Sequence, residues 1–398
     1  MTPFLRTTSH SILTLVLFLP IITFTGCRGF QGSQATGTTN TPNPTTAVPS
    51  TQSQVQRLIV VILQNNSFDH LFGTFPGANG IQPGVPGYTQ TDASGKTVQP
   101  FLLTNLAPTN YTEGRNIDLQ MADNNQMDKF AFYNGDQTMG YYDGTTPGIA
   151  RLWSYAQQFA LADNYFQSVM GEAPSNQLYM VAADDNNMFQ QVQPAFGPCN
   201  PPDKFAQPYT FTNVGDELSQ KDIPWAVYQE NYPTCGLFNP EHDAFQYFTS
   251  TNNSSHIQDF SQFNAQLGNG TLPAVSFVIP GPGHDLHPGS PIVPAANFLD
   301  QFIHQVQASS AWPNVAIVVT FDTGGGWYDH VAPPVVDSQG LGFRVPLLVI
   351  SPMAKKGYIS HVQMDHVSIL KFIQWNWALP SLNSRNDAST DIRDMFAF

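Results

Sequence analysis

The sequence predicts an α/β domain with a mostly parallel central sheet covered by helices. Three observations predict it. Four apolar, β-branched runs, Leu58–Leu63, Ala274–Ile279, Val315–Phe321 and Val345–Ile350, have the composition of strands buried on both faces. Helical patterns over 148–159, 211–220, 295–308 and 366–377 alternate with them, which argues for crossover connections. Three of the runs pass straight into polar segments, and open α/β sheets place ligands at the carboxyl ends of their strands.

In chain order, residues 1–26 read as an export leader. Arg6 supplies the charged start, and 12–24 is apolar but too short and interrupted for a permanent membrane helix. It closes on Phe24-Thr25-Gly26-Cys27, which resembles a lipoprotein cleavage site that leaves Cys27 lipidated. A plain secretory leader is the other reading. Residues 27–54, rich in Thr, Pro, Ser and Gln, cannot bury a core and read as a tether. The folded domain is expected over 55–398, anchored to a membrane through Cys27 or secreted. An oxidising compartment then favours a disulfide between the two remaining cysteines, Cys199 and Cys235. The net charge of −14, with only 15 Lys and Arg, argues against nucleic acid as a partner. The stretch from about 185 to 270 reads as a loop-rich insertion over the strand ends.

Chemistry gathers where the strands end. Leu58–Leu63 leads into Gln64 and Asn65. Ala274–Ile279 leads into a segment carrying His284, Asp285 and His287. Val315–Phe321 leads into Asp322, Thr323, three glycines and then Trp327–His330. Oxygen and imidazole groups from segments far apart thus converge on one rim of the sheet, the layout of a metal-assisted hydrolase. Each of these groups alone reads as well as a helix cap or a structural histidine.

The ordered motifs resemble the bacterial phosphoesterases that include phosphatidylcholine-type phospholipase C and a respiratory-burst-inhibiting acid phosphatase. The resemblance rests on Gln64–Gly73, Asn125–Phe130, Met139–Tyr142, Phe159–Phe166, Pro282–Pro288, Gly325–Val331, Arg344–Pro352, Ala354–Tyr358 and Asp365–Phe372. It implies an alkaline-phosphatase-like α/β/α sandwich, a divalent cation, and a phosphate ester or phospholipid substrate. It implies metal ligands at Gln64, Asn65, Asp322 and Thr323. Candidate catalytic residues are Ser175, His284, His287 and His330, with Asp128 and His242 added.

The chain departs from that pattern at the ligands. Gln64 stands where a glutamate is implied, Thr323 where an acidic residue is, and Ala173 where the nucleophile is. Hard cations need carboxylate charge to offset desolvation, and alanine cannot attack phosphorus. Ser175 could take the nucleophile's role and Glu172 could supply a carboxylate. The sequence therefore predicts weak turnover in a tethered, cation-assisted phosphoric-ester hydrolase, or else a non-catalytic homologue that binds a ligand. A carbohydrate-binding lipoprotein would leave the strand-end histidines and glycines unexplained.

Overall fold

The computed structural model describes residues 49–188, 197–199 and 207–398. The expected leader, Cys27 and most of the expected tether lie outside them. Eight strands form one sheet: β1 (Arg57–Leu63), β2 (Ala160–Ala162), β3 (Trp225–Gln229), β4 (Ile257–Asp259), β5 (Val275–Ile279), β6 (Val315–Phe321), β7 (Leu347–Ile350) and β8 (Tyr358–Ser360). Their order is β8-β2-β7-β6-β1-β5-β3-β4. Only β7 runs antiparallel to its neighbours. The mostly parallel α/β class expected from the sequence is the architecture observed.

The apolar runs explain the centre of the sheet. β1, β5 and β6 are buried along nearly their whole length, so both faces are covered. The helices that cover them fall into two packed groups. Helix α3 (Ile149–Gln158) lies against α7 (Ile292–Gln307). Helix α4 (Ala173–Ala182) lies against α5 (Val214–Gln220) and α8 (His366–Trp377). The short α1 (Phe68–Phe72), α2 (Arg115–Ala122) and α6 (Phe260–Asn269) complete the set used here.

Two expectations need correction. The middle segment is not merely an insertion: it supplies α5, β3, β4 and α6, extending the sheet by two strands. β3 is only five residues long and β4 three, too short to stand out as apolar runs. The folded domain also begins before residue 55. Gln52 N donates to the Asn376 carbonyl at 2.9 Å, and Ser53 Oγ to Asn376 Oδ1 at 2.7 Å. The Cys199–Cys235 disulfide is present, with Cα atoms 5.5 Å apart.

One buried ion network locks the loops at the strand ends. Arg344 is fully buried. Its Nε donates to Asp329 Oδ1 and its Nη2 to Asp69 Oδ1, both at 2.9 Å, while Nη1 donates to the Asp163 and Asn79 carbonyls. His330 Nδ1 lies 2.7 Å from Asp69 Oδ2. The guanidinium also stacks over Phe68, 4.6 Å from its ring centre. Two carboxylates and one guanidinium in a dry interior are tolerable only because nearly every lone pair and N–H is paired.

That dependence yields two expected outcomes. Arg344→Met removes the cation that Asp69 and Asp329 share and should cost about 3–5 kcal/mol of stability in denaturant unfolding; a loss below ~1 kcal/mol contradicts the network's role. A chain starting at residue 49, denatured without reductant, should show no titratable thiol.

Candidate active site

The register of the sheet creates the site. β1 pairs with β6 so that Leu63 lies opposite Phe321. The next residues of each strand, Gln64-Asn65 and Asp322-Thr323, therefore emerge side by side. Asn65 turns the chain in the left-handed region (φ 57°), a conformation asparagine tolerates better than most residues. Gly325, also left-handed, fits beneath it: a Cβ there would come within 2.2 Å of the Asn65 carbonyl oxygen. That close approach is why the third strand-end segment carries glycines. Asn66 ties in the histidine loop, donating from Nδ2 to the Gln64 carbonyl at 2.7 Å and the Leu286 carbonyl at 3.0 Å.

Asp322 is buried and held by three donors. Asn65 N (3.1 Å) and Thr323 N (2.7 Å) reach Oδ1, and Gln177 Nε2 from α4 reaches Oδ2 at 2.9 Å. Burial pushes its carboxyl up to about 6, against the pull of those donors. Glu113, which no motif singled out, closes the cluster. Asn65 Nδ2 donates to its Oε1 at 3.0 Å, and Thr323 Oγ1 lies 2.6 Å from its Oε2 and 3.0 Å from Asn65 Oδ1. Burial, followed by the nearby Asp322 and Glu172 charges, raises the Glu113 carboxyl to about 8, although the bonds from Thr323 and Asn65 oppose the rise.

Asn65 and Glu113 open onto a cavity of about 220 Å³, with Asp322 and Thr323 buried behind them. Glu113, Glu172 and Glu241 supply its carboxylates, Gln64, Asn65 and Asn239 its amides, and His242 and His287 its imidazoles. Ala173, the first residue of α4, lies on its wall. His287 Nδ1 lies 2.6 Å from the Pro288 carbonyl, so that nitrogen carries the proton and Nε2 faces Asn65 Nδ2 at 3.4 Å. Burial holds the His242 ring down at about 3, neutral at any ordinary pH. Asn239 Nδ2 lies 2.8 Å from its Nε2.

The expected site residues thus divide. Gln64, Asn65, Asp322, Thr323, His287 and His242 come together. Ser175 does not join them: it is buried one turn into α4, beside a neighbouring cavity of about 480 Å³, and its hydroxyl bonds Asp185. His284 sits apart, 3.0 Å from Glu230 and stacked on Phe298. His330 belongs to the Arg344 network. Asp128 pairs with Lys129 at 3.1 Å on the surface. Sequence reasoning missed Glu113, Glu241 and Gln177. Nothing in Thr112-Glu113-Gly114 marks a ligand, and only the tertiary contact with Thr323 reveals it.

The residues fit a hard divalent cation. The donors are oxygens from Asp322, Glu113 and Asn65, the kind such ions select. Gln64 adds a second sign: both polar atoms of its side-chain amide are buried without a partner. Buried polar groups are seldom left so, and a cation in the site would satisfy the amide oxygen. Among the described residues, Asp69, Asp329 and His330 also hold ligand atoms within 4.8 Å of one another. There, however, the Arg344 guanidinium already supplies the positive charge.

The chain resembles known proteins along most of its length. A non-hemolytic phospholipase C of Pseudomonas aeruginosa is 26% identical over 388 residues, covering 83% of this chain and 55% of that protein. Phospholipase C B of Mycobacterium tuberculosis is 26% identical over 429 residues, with coverages of 88% and 79%. Non-specific phospholipase C6 of Arabidopsis thaliana is 24% identical, with coverages of 77% and 64%. The chain spans about half the length of the first of these. A murine ectonucleotide pyrophosphatase/phosphodiesterase structure is similar at a TM-score of 0.45 and 10% identity, covering 86% of this chain and 100% of that one. The sequence model of the Phosphoesterase family matches residues 55–380, and the chain belongs to that family.

Proposed function

We propose that this chain is an extracytoplasmic, divalent-cation-assisted hydrolase of phosphoric esters. The observation that carries the reading is Glu113. Gln64 and Thr323 lack the carboxylates that the phosphoesterase pattern implies, yet the Thr323 hydroxyl draws a glutamate from another loop into the same cluster. The charge needed beside Asp322 and Asn65 is restored by a different residue. When bound, a cation there supplies Lewis-acid polarisation of the phosphoryl oxygens. The remaining work falls to the chain itself. The amino-terminal end of α4 presents its positive dipole to an anionic substrate. The strand-end amides orient the ester, and His287 lines the same cavity.

The named relatives are phospholipases C, so the proposed substrates are phosphodiesters, with phospholipid head groups among them. Among the described residues no helix is long and apolar enough to cross a membrane. Attachment through a lipidated Cys27 and the tether that follows it is the proposed route to a membrane. Ala173 favours a second reading, a non-catalytic homologue that binds phosphate esters without turning them over.

The purified protein is expected to release p-nitrophenol from p-nitrophenylphosphorylcholine or p-nitrophenyl phosphate slowly, and to stop on chelation. Glu113→Gln should lower the rate about 10–100-fold, the usual effect of disturbing a metal's supporting shell. Phosphate binding without any release favours the second reading.

Thr323→Asp would set a second carboxylate against Glu113, at a position where the present oxygens are 2.6 Å apart. That substitution alone should weaken turnover, and Glu113→Thr combined with it should recover the loss. Full-length protein should sediment with membranes, and Cys27→Ser should release it.

A further inference from the structure

Among the described residues, none that lines the cavity of the candidate site carries a hydroxyl or a thiol. Ala173 presents a methyl group at the start of α4. The Ser175 hydroxyl is turned to Asp185. Thr323 is fully buried, its hydroxyl spent on Glu113 and Asn65. The imidazoles are engaged as well: His242 Nε2 faces the Asn239 amide, and both His287 nitrogens have partners.

One group in the cavity is equipped to activate water instead. Glu172 caps the amino-terminal end of α4, immediately before Ala173. It is exposed, and its Oε1 lies near Gly114, where a built Cβ would sit 3.2 Å from it. Glu113 has both carboxylate oxygens committed to Asn65 and Thr323. The Glu172 carboxylate accepts no hydrogen bond in the described structure and stands in solvent beside the helix end that receives the phosphoryl group.

We infer that the site hydrolyses phosphoric esters by direct, in-line attack of a water molecule deprotonated by Glu172, with no phosphoryl-enzyme intermediate. The water oxygen forms the new P–O bond while the bond from phosphorus to the ester oxygen breaks. The water's proton passes to a Glu172 carboxylate oxygen. The ester oxygen leaves with the bonding electron pair and takes a proton from solvent water, giving an alcohol and phosphate. This inference rests on the hydrolase reading above and specifies its route. A single displacement inverts phosphorus, whereas passage through a covalent intermediate inverts it twice and retains its configuration.

The test uses wild-type protein and one enantiomer of methyl p-nitrophenyl phosphorothioate in oxygen-labelled water. Inversion is the expected result. Retention, or a phosphoryl adduct on wild-type protein in intact-mass analysis during turnover, overturns the water route while leaving the hydrolase reading in place. No hydrolysis of this ester or of p-nitrophenylphosphorylcholine under any divalent cation overturns both.

Glu172→Gln should lower kcat about 10²–10⁴-fold with KM little changed, the contribution of a general base. A kcat unchanged in that variant removes Glu172 from the role. Ser175→Ala should keep wild-type kcat; its loss would return the nucleophile to Ser175. Ala173→Ser should accumulate a phosphoryl adduct that wild type lacks, and an adduct-free Ala173→Ser that still turns over would show that the helix start does not face phosphorus.

Discussion

The site depends on one constraint: carboxylates must be buried where two adjacent parallel strands end. The pairing of β1 with β6 leaves no freedom here, because Leu63 opposite Phe321 forces Asn65 against Asp322. A buried carboxylate is costly unless its lone pairs are met. Asp322 meets them with two backbone N–H groups and Gln177; Glu113 meets them with Asn65 and Thr323. Burial raises both carboxyls against the pull of these donors. A cation in the proposed site would supply the opposite charge, and the same carboxylates would hold it.

The scaffold and the chemistry are carried by different residues of the same motifs. Within Gln64–Gly73, Ser67, Phe68, Asp69 and His70 serve packing. Ser67 Oγ donates to the Tyr328 carbonyl, Phe68 lies under Arg344, Asp69 pairs with Arg344 and His330, and His70 stacks 3.7 Å from the Trp327 ring. Only Gln64 and Asn65 face the cavity. Scaffold positions can therefore remain intact while ligand positions drift, since the Arg344 network fixes the loops whatever the site contains. This separation explains how the chain keeps so many motif residues yet lacks two carboxylates and a hydroxyl.

Legibility in the sequence followed burial and locality. β1, β6 and α8 could be read because uninterrupted apolar runs or helical periodicity mark elements buried in the core. β3 and β4 escaped because they are only five and three residues long, and β7 gave no sign of its reversed direction, which only neighbouring strands impose. Asn65, Asp322, Thr323 and His287 were legible as strand-end groups. Glu113 was not: it lies in a loop without periodicity, and its place follows from a hydroxyl 210 residues away. Ser175 misled in the opposite sense. It sits two residues from the nucleophile position, but the rotation of α4 turns it toward Asp185, out of the cavity.

The central claim is that Glu113, arriving from outside the motifs, completes a cation site with Asn65 and Asp322. Anomalous diffraction from crystals soaked in Mn²⁺ tests it most directly. The account predicts one strong peak within oxygen-ligand distance, about 2.0–2.6 Å, of Asp322, Glu113 and Asn65, which disappears in Glu113→Gln. A peak instead beside Asp69, Asp329 and His330, or a peak at Asp322 that survives Glu113→Gln unchanged, would contradict it.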